Sequence, residues 1–372
     1  MPFGSEGIEP GTALALSGGG YRATLFHAGA LWRLNETGRM STLKRVSSIS
    51  GGSITAGALA VRWNDLTFAG GVATDFEEKV VNSIRKFCET TIDVPAFGLG
   101  ALLPGTRASD LVEVEYRKHL LGEKTLRDLP DEPRFVINAT NLATGASFRF
   151  SKPYAGDYLI GMIRNPTFLV SQAVAASSAF PPVLSPMEIE IDEPDLFERT
   201  DGAELYDDVG YREKLWLTDG GVYDNLGLET VWKRFETVLV SDAGAPFDRD
   251  DDPWVNPLSQ LKRTLDIAMD QVLALRKRIL IGEYVAGERK GTYWGIGTEI
   301  ADYGLSNSLP CPAGKTLELS QIRTRLDRFD EKEQCELINW GYAVSDAALR
   351  RYVDPSIPAP AGWPYPEYAL DR

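Results

Sequence analysis

The sequence predicts an α/β fold in which a parallel sheet carries helices on its faces. Three observations lead there. Residues 12–17, Thr-Ala-Leu-Ala-Leu-Ser, form an apolar run that empties into Gly18-Gly19-Gly20 and then a helical pattern. Val46–Ile49 does the same through Ser50-Gly51-Gly52 into a second helical pattern. Further on, Leu215–Thr218 and Thr237–Ser241 are again short apolar runs. Two strand–helix units so close together favour parallel strands with crossover helices.

The elements follow in order. Residues 12–17 form a buried strand. Residues 22–36 form a helix whose Leu25, Ala28, Leu31 and Leu34 step along one face, and Gly38 supplies the stop. Val46–Ile49 is a strand and Ile54–Trp63 a small-residue helix. Residues 73–90 read as a charged helix. Phe135–Ala139 and Ala146–Phe150 read as strands joined by a hairpin turn at Asn141–Gly145. Thr167–Ser178 is an alanine-rich helix ended by Pro181-Pro182. Residues 188–213 are acidic and read as an irregular surface insertion. Leu215–Thr218 leads into Asp219-Gly220-Gly221, followed by a helix over 226–234 and a strand at Thr237–Ser241. Long helices are predicted over 257–285 and 331–351, and the proline-rich tail from Pro355 should be irregular. With no internal repeat or low-complexity linker, residues 1–372 are expected to form one domain with insertions. Its motif-bearing core runs from about 12 to 242 and its C-terminal helical part from about 255 to 352.

Bulk properties narrow the function. The 372-residue chain is 43% hydrophobic and 25% charged, as soluble globular proteins are. Its net charge of −14 excludes a nucleic-acid partner, which needs a basic face, and weakens anchoring by charge to anionic lipid. Three cysteines, Cys88, Cys311 and Cys335, have no metal-ligand spacing and suit a reducing compartment. Residues 1–6 lack the basic and apolar regions of a signal peptide. No apolar run reaches the roughly 18 residues of a membrane span. The expected location is the cytoplasm.

The chemistry concentrates in three segments. Gly18-Gly19-Gly20 lets the backbone turn tightly and approach a ligand, and its N–H groups open a helix and attract anions. Such a loop serves either as a phosphate cradle or as an oxyanion hole. It does not match G-x-G-x-x-G, because Ala23 fills the last glycine position, nor the phosphate loop with its Lys and Ser/Thr. Ser50, between Ser48 and Gly52, has the small neighbours that a nucleophile on a strand-to-helix elbow needs, although glycine is usual where Ser48 stands.

A nucleophilic serine needs a base. The only histidines are His27, which reads as a packing residue in the first helix, and His119, which lies in a charged surface stretch. A carboxylate is the alternative. Asp219, at the end of a short strand and before two glycines, is the candidate, with its side chain at the carboxyl edge of the sheet.

Taken in order, these segments resemble the patatin-like phospholipases and their cytosolic phospholipase A2 relatives. Leu14–Arg22 resembles the oxyanion segment, Ser48–Gly52 the nucleophile elbow and Asp219–Gly221 the Asp-Gly-Gly base motif. Ser177–Pro182 resembles the small-residue and proline segment ahead of the base. The resemblance frames residues 12–242 and does not reach the acidic insertion or the last 130 residues.

The resemblance implies a three-layer α/β/α hydrolase with a mainly parallel central sheet. It implies a lipid acyl hydrolase of phospholipase A or lysophospholipase type that uses a Ser–Asp dyad. Ser50 is then the nucleophile and Asp219 the base. Gly18, Gly19 and Gly20, joined by Gly51, form the oxyanion hole. Arg22 either meets the substrate phosphate or braces the loop. The implied partner is a phospholipid or lysophospholipid, met at a membrane surface, with no metal, cofactor or calcium module.

Val94–Pro104 is apolar and glycine-rich without helical period, and is expected to line the acyl channel or act as an interfacial lid through Phe97 and Leu102. Lys262, Arg263, Arg276, Lys277 and Arg278 give one helix a basic side that reads as a solvated face. Two alternatives stay open at this point. One is a non-catalytic module that holds phosphate in the glycine loop. The other is the same phospholipase chemistry used as a toxin or immune effector.

Overall fold

The computed structural model describes residues 7–93, 96, 107–253 and 256–371. Residues 1–6 and the stretch Val94–Pro104, apart from Ala96, lie outside the described residues, and with them the lid expectation for Phe97 and Leu102.

The chain opens as β1 (Glu9–Leu16), α1 (Gly20–Glu36), β2 (Leu43–Ser48) and α2 (Gly51–Ala60). A small hairpin of β3 (Phe68–Ala69) and β4 (Val72–Ala73) leads to α3 (Asn82–Phe87), and α4 spans Ala108–Tyr116. Then come β5 (Arg134–Asn141), β6 (Ser147–Ser151), β7 (Tyr154–Asp157), β8 (Gly161–Arg164) and α5 (Val170–Ser177). Next are β9 (Met187–Glu190), β10 (Phe197–Glu198), α6 (Gly210–Glu213), β11 (Lys214–Asp219) and α7 (Gly221–Asp224). The last elements are β12 (Phe235–Asp242), α8 (Pro257–Ala286), β13 (Lys290–Gly295), α9 (Ala313–Gln321) and α10 (Glu331–Tyr352).

The sheet runs β10-β8-β7-β6-β5-β2-β1-β12-β13. From β5 to β13 every neighbouring pair is parallel, and from β5 to β10 every pair is antiparallel. The site lies at β5, where the parallel half begins and where β11 adds an antiparallel neighbour.

Alternation along β1 separates the two layers of helices. Leu14 and Leu16 pack into the large core with α1, α2 and α10. Ala13 and Ala15 point the other way, into a smaller core with Leu226, Leu228, Val231 and Leu280 of α8. The α1–α10 contact is close because glycines face backbone. A Cβ on Gly29 would lie 1.9 Å from the Ile338 carbonyl oxygen, and one on Gly341 would lie 1.9 Å from that of Phe26. Asp346 of α10 ties the pair together by accepting from Arg33 Nε of α1 and from Arg350 Nε, each at 2.8 Å. The cap of α10 is written in its sequence: Asp330 and Glu333 accept each other's N–H at 2.9 and 3.0 Å.

Several expectations change. The acidic segment 188–213 is not wholly irregular. Met187 and Ile189 bury one face of β9 against β11, and β10 forms the sheet edge beside β8. No helix forms over 226–234. The Asp224 carboxylate accepts the N–H groups of Leu226 and Glu229, and Gly227 takes a positive φ of 69°, so the backbone turns instead. The helix read over 73–90 is a π-helical turn (Glu77–Val81) followed by α3. No helix among the described residues is long and apolar enough to cross a membrane.

Candidate active site

One edge of β5 assembles the site. β2 pairs with its first half in parallel, Ser48 opposite Ile137. β11 pairs with its second half antiparallel, Asp219 opposite Ala139. The two strands therefore end facing each other, with Ser50 just beyond one and Asp219 closing the other. Asp219 reaches the carboxyl edge of the parallel strands as expected, but it arrives from the opposite direction.

Ser50 has φ 49° and ψ −118°, at the N-cap of α2. It shares positive φ with only one other non-glycine residue among the described residues, Asn165. Such a backbone costs about 1–3 kcal/mol and persists only where its surroundings enforce it. The enforcement here is a buried hydroxyl cluster. Ser177 Oγ accepts the Ser50 N–H at 3.0 Å and donates to the Asn138 carbonyl at 2.6 Å. Ser53 Oγ lies 2.9 Å from Ser177 Oγ and donates to Ser48 Oγ at 3.0 Å. Ser48, the departure from glycine, is thus accommodated with its hydroxyl bonded.

Asp219 is buried, 2% exposed. Burial pushes its carboxyl up to about 6, against the opposing pull of the Gly221 N–H and the Ser50 hydroxyl. The Gly221 N–H donates to Oδ1 at 2.7 Å. The Asp219 N–H donates to the Ala179 carbonyl at 3.0 Å, and the Gly220 N–H to the Ser177 carbonyl at 3.2 Å. The last residue of α5 and the segment after it therefore hold both Ser50 and the Asp219 loop.

The glycine triplet divides. The Gly18 N–H donates to the Asn225 carbonyl at 3.1 Å, so Gly18 is a structural turn and its place among the oxyanion donors is corrected. The N–H groups of Gly19, Gly20 and Gly51 donate to no acceptor among the described residues. Gly20 opens α1 and Gly51 opens α2, so two helix N-termini converge. The loops touch: a Cβ on Gly51 would lie 2.2 Å from the Gly20 carbonyl oxygen. Gly20 itself has φ 55°, and a Cβ there would lie 1.6 Å from the Thr324 carbonyl oxygen.

Arg22 is buried, 1% exposed, and its guanidinium is committed. It donates to the carbonyls of Ser320 (2.6 Å), Ile322 (2.8 Å) and Ala243 (2.7 Å). Desolvation lowers its pKa to about 10, with Asp242 opposing. Of the two expected roles this geometry fits bracing; contact with a phosphate would break those bonds.

His27 is a packing residue. Its Nε2 donates to the Ser17 carbonyl at 2.9 Å, and its Nδ1 lies 2.8 Å from Ser241 Oγ, which accepts from Trp294 Nε1. Burial lowers its pKa to about 4, so the ring is neutral. His119 is an exposed partner of Glu115.

Two contributors carried no role in the sequence reading. Ser177 lay in a quoted segment but its contacts are far away in sequence. Asn225 accepts from Gly18, and its carboxamide borders both loops: Oδ1 lies 2.3 Å from where a Cβ on Gly18 would stand and 2.7 Å from one on Gly221. Its one sequence signal is an amide four residues after Gly221.

The family model described as Patatin-like phospholipase matches residues 14–232. No curated protein matches the chain. Among solved structures, human GIVD cytosolic phospholipase A2 in complex with methyl gamma-linolenyl fluorophosphonate aligns with a TM-score of 0.51 at 14% identity, over 91% of this chain and 57% of that one. Human GIVD cytosolic phospholipase A2 aligns with a TM-score of 0.41 at 16% identity, over 68% and 50%. VipD from Legionella pneumophila aligns with a TM-score of 0.38 at 14% identity, over 91% and 66%. The chain thus spans about half to two thirds of the length of these structures. At these identities the likeness is one of fold.

Proposed function

The chain belongs to the patatin-like phospholipase family, and from that premise we propose that it is a lipid acyl hydrolase that cleaves phospholipid carboxylic esters with Ser50 and Asp219. One observation carries the reading. A serine held at positive φ faces a buried carboxyl beside three backbone N–H groups that no acceptor among the described residues uses. A structural turn has no need of that combination.

In this mechanism ionised Asp219 takes the Ser50 proton as Oγ attacks the ester carbonyl carbon. The tetrahedral oxyanion accepts from the N–H groups of Gly19, Gly20 and Gly51. Protonated Asp219 returns its proton to the leaving alkoxide, which departs as an alcohol and leaves an acyl-serine. Asp219 then deprotonates water, which attacks the acyl carbonyl, and Ser50 recovers its proton. Two N–H groups at helix starts are fixed before the charge develops, which is the basis of oxyanion stabilisation. Phospholipase A or lysophospholipase regiochemistry, and docking at a membrane surface, belong to the same proposal. Lipid profiling of mixed phospholipids treated with wild type and Ser50→Ala tests it: free fatty acid and lysolipid, or a fully deacylated product, should form with wild type alone. Equal products from both proteins would refute it.

A further inference from the structure

We propose that α8 is the seam through which two copies of this chain pair, with the two helices antiparallel. The inner side of α8 is anchored to its own subunit. Arg276 reaches Glu229 at 3.0 Å and Asp224 at 3.6 Å, and Tyr284 Oη donates to the Val238 carbonyl at 2.6 Å. The outer side is apolar and bare: Leu261 is 69% exposed, Leu275 53% and Ile279 47%. Among the described side chains of this 30-residue helix only Leu280 is fully buried.

The exposed side has a strict spacing. Positions 261, 265, 268, 272, 275, 279, 282 and 286 step by four and three in unbroken alternation, and all are apolar or glycine. That 3.5-residue period is what a partner helix demands. The helix's own subunit does not use it, because all eight positions are exposed.

Antiparallel self-pairing about a two-fold axis between residues 273 and 274 sets Leu261 against Ala286, Leu265 against Gly282, Ala268 against Ile279 and Val272 against Leu275. Three of the four layers match a large side chain to a small one. Parallel pairing would set Leu265 on Leu265 and Gly282 on Gly282.

Gly282 supports the antiparallel register independently. A Cβ there would meet nothing within 4 Å, so the subunit gives no steric reason for glycine in a helix interior, where it is destabilising. Leu265 of a second copy supplies one. Each face is about 39 Å long and about 10 Å wide, so two of them cover roughly 800 Å² in all, the size of a weak, reversible interface. A bilayer would accept a broad apolar face without this spacing, and a net charge of −14 disfavours an anionic one.

Sedimentation equilibrium of the full chain tests the proposal with two variants. Wild type should dimerise, and Leu265→Asp should be monomeric with an unchanged circular dichroism spectrum. Gly282→Leu is the discriminating change, because it favours helix and enlarges the apolar face. It should raise the dimer dissociation constant about tenfold or more by overfilling the seam. If Leu265→Asp fails to fold, disulfide cross-linking carries the test: Leu265→Cys and Gly282→Cys proteins should cross-link when mixed and neither should alone. A monomeric wild type, a dimer indifferent to both substitutions, or Gly282→Leu tightening self-association or phosphatidylcholine-vesicle binding would each overturn the proposal.

Discussion

Asp219 meets Ser50 because β2 and β11 end against each other along one edge of β5, Ser48 opposite Ile137 and Asp219 opposite Ala139. Ser50 and Asp219 lie 169 positions apart in sequence (219 − 50), yet only two positions of one strand separate the strands that carry them. The pairing of β5 therefore sets how far Ser50 stands from Asp219, and the buried Ser177 hydroxyl holds the elbow by accepting the Ser50 N–H.

Activity should follow the ionisation of Asp219. A base must be deprotonated, and burial places this carboxyl at about 6. The rate on a soluble short-chain ester should be flat above that value and fall about tenfold per unit well below it. A profile still flat well below pH 6 would remove Asp219 as the base.

The same burial predicts a stability gain on Asp219→Asn. The folded pKa lies above the ordinary 3.8, so the native state binds the proton more tightly and the ionised form is a burden. The burden is absent below 3.8, grows between 3.8 and about 6, and is complete above. At ~1.4 kcal/mol per unit, Asp219→Asn should be more stable than wild type by roughly 2–3 kcal/mol at neutral pH, with no gain in strong acid and no activity. Denaturant melts at the two pH extremes measure this.

Gly51→Ala should separate the oxyanion donors from the nucleophile. Its Cβ would stand 2.2 Å from the Gly20 carbonyl oxygen, so the two loops must part. Loss of a donor costs about 10²–10³ in turnover, and kcat should fall by that order while substrate binding holds. Near-normal kcat would place the oxyanion elsewhere.

Ser177→Ala removes the acceptor of the buried Ser50 N–H. An unmet buried donor costs about 1–3 kcal/mol. The melting temperature and kcat should both drop, with KM unchanged, because the residue positions Ser50 and does not touch substrate. A change confined to KM would contradict this role.

Arg22→Lys should act on stability and leave specificity alone. Lysine keeps the charge but cannot serve the carbonyls of Ser320, Ile322 and Ala243 together. A lower melting temperature with unchanged head-group preference is expected. Altered head-group preference with normal melting would restore Arg22 to the substrate.

The parts legible in the sequence were those encoded locally. A strand, a glycine turn and a helix lie together at residues 12–36 and again at 46–63, and the resemblance ordered them with Asp219. Distant contacts hid the rest. β7 and β8 are four residues each and contain glycine, so nothing local marks them as strands; their sheet neighbours do. The Ser48 departure could not be weighed without knowing that Ser53 and Ser177 meet beneath it. Arg22 was left between two roles because its acceptors lie some 220–300 residues away. Glycine spacing alone did not separate Gly18, bonded to Asn225, from Gly19 and Gly20.

The central claim, that Ser50 is a nucleophile activated by Asp219, is tested most directly by labelling the folded protein with a fluorophosphonate and mapping the adduct by peptide mass spectrometry. The account predicts one adduct, on Ser50, that is lost in Ser50→Ala and strongly slowed in Asp219→Asn. No adduct on folded wild type, or an adduct on a different serine, would contradict it and favour a glycine loop that binds anions without catalysis.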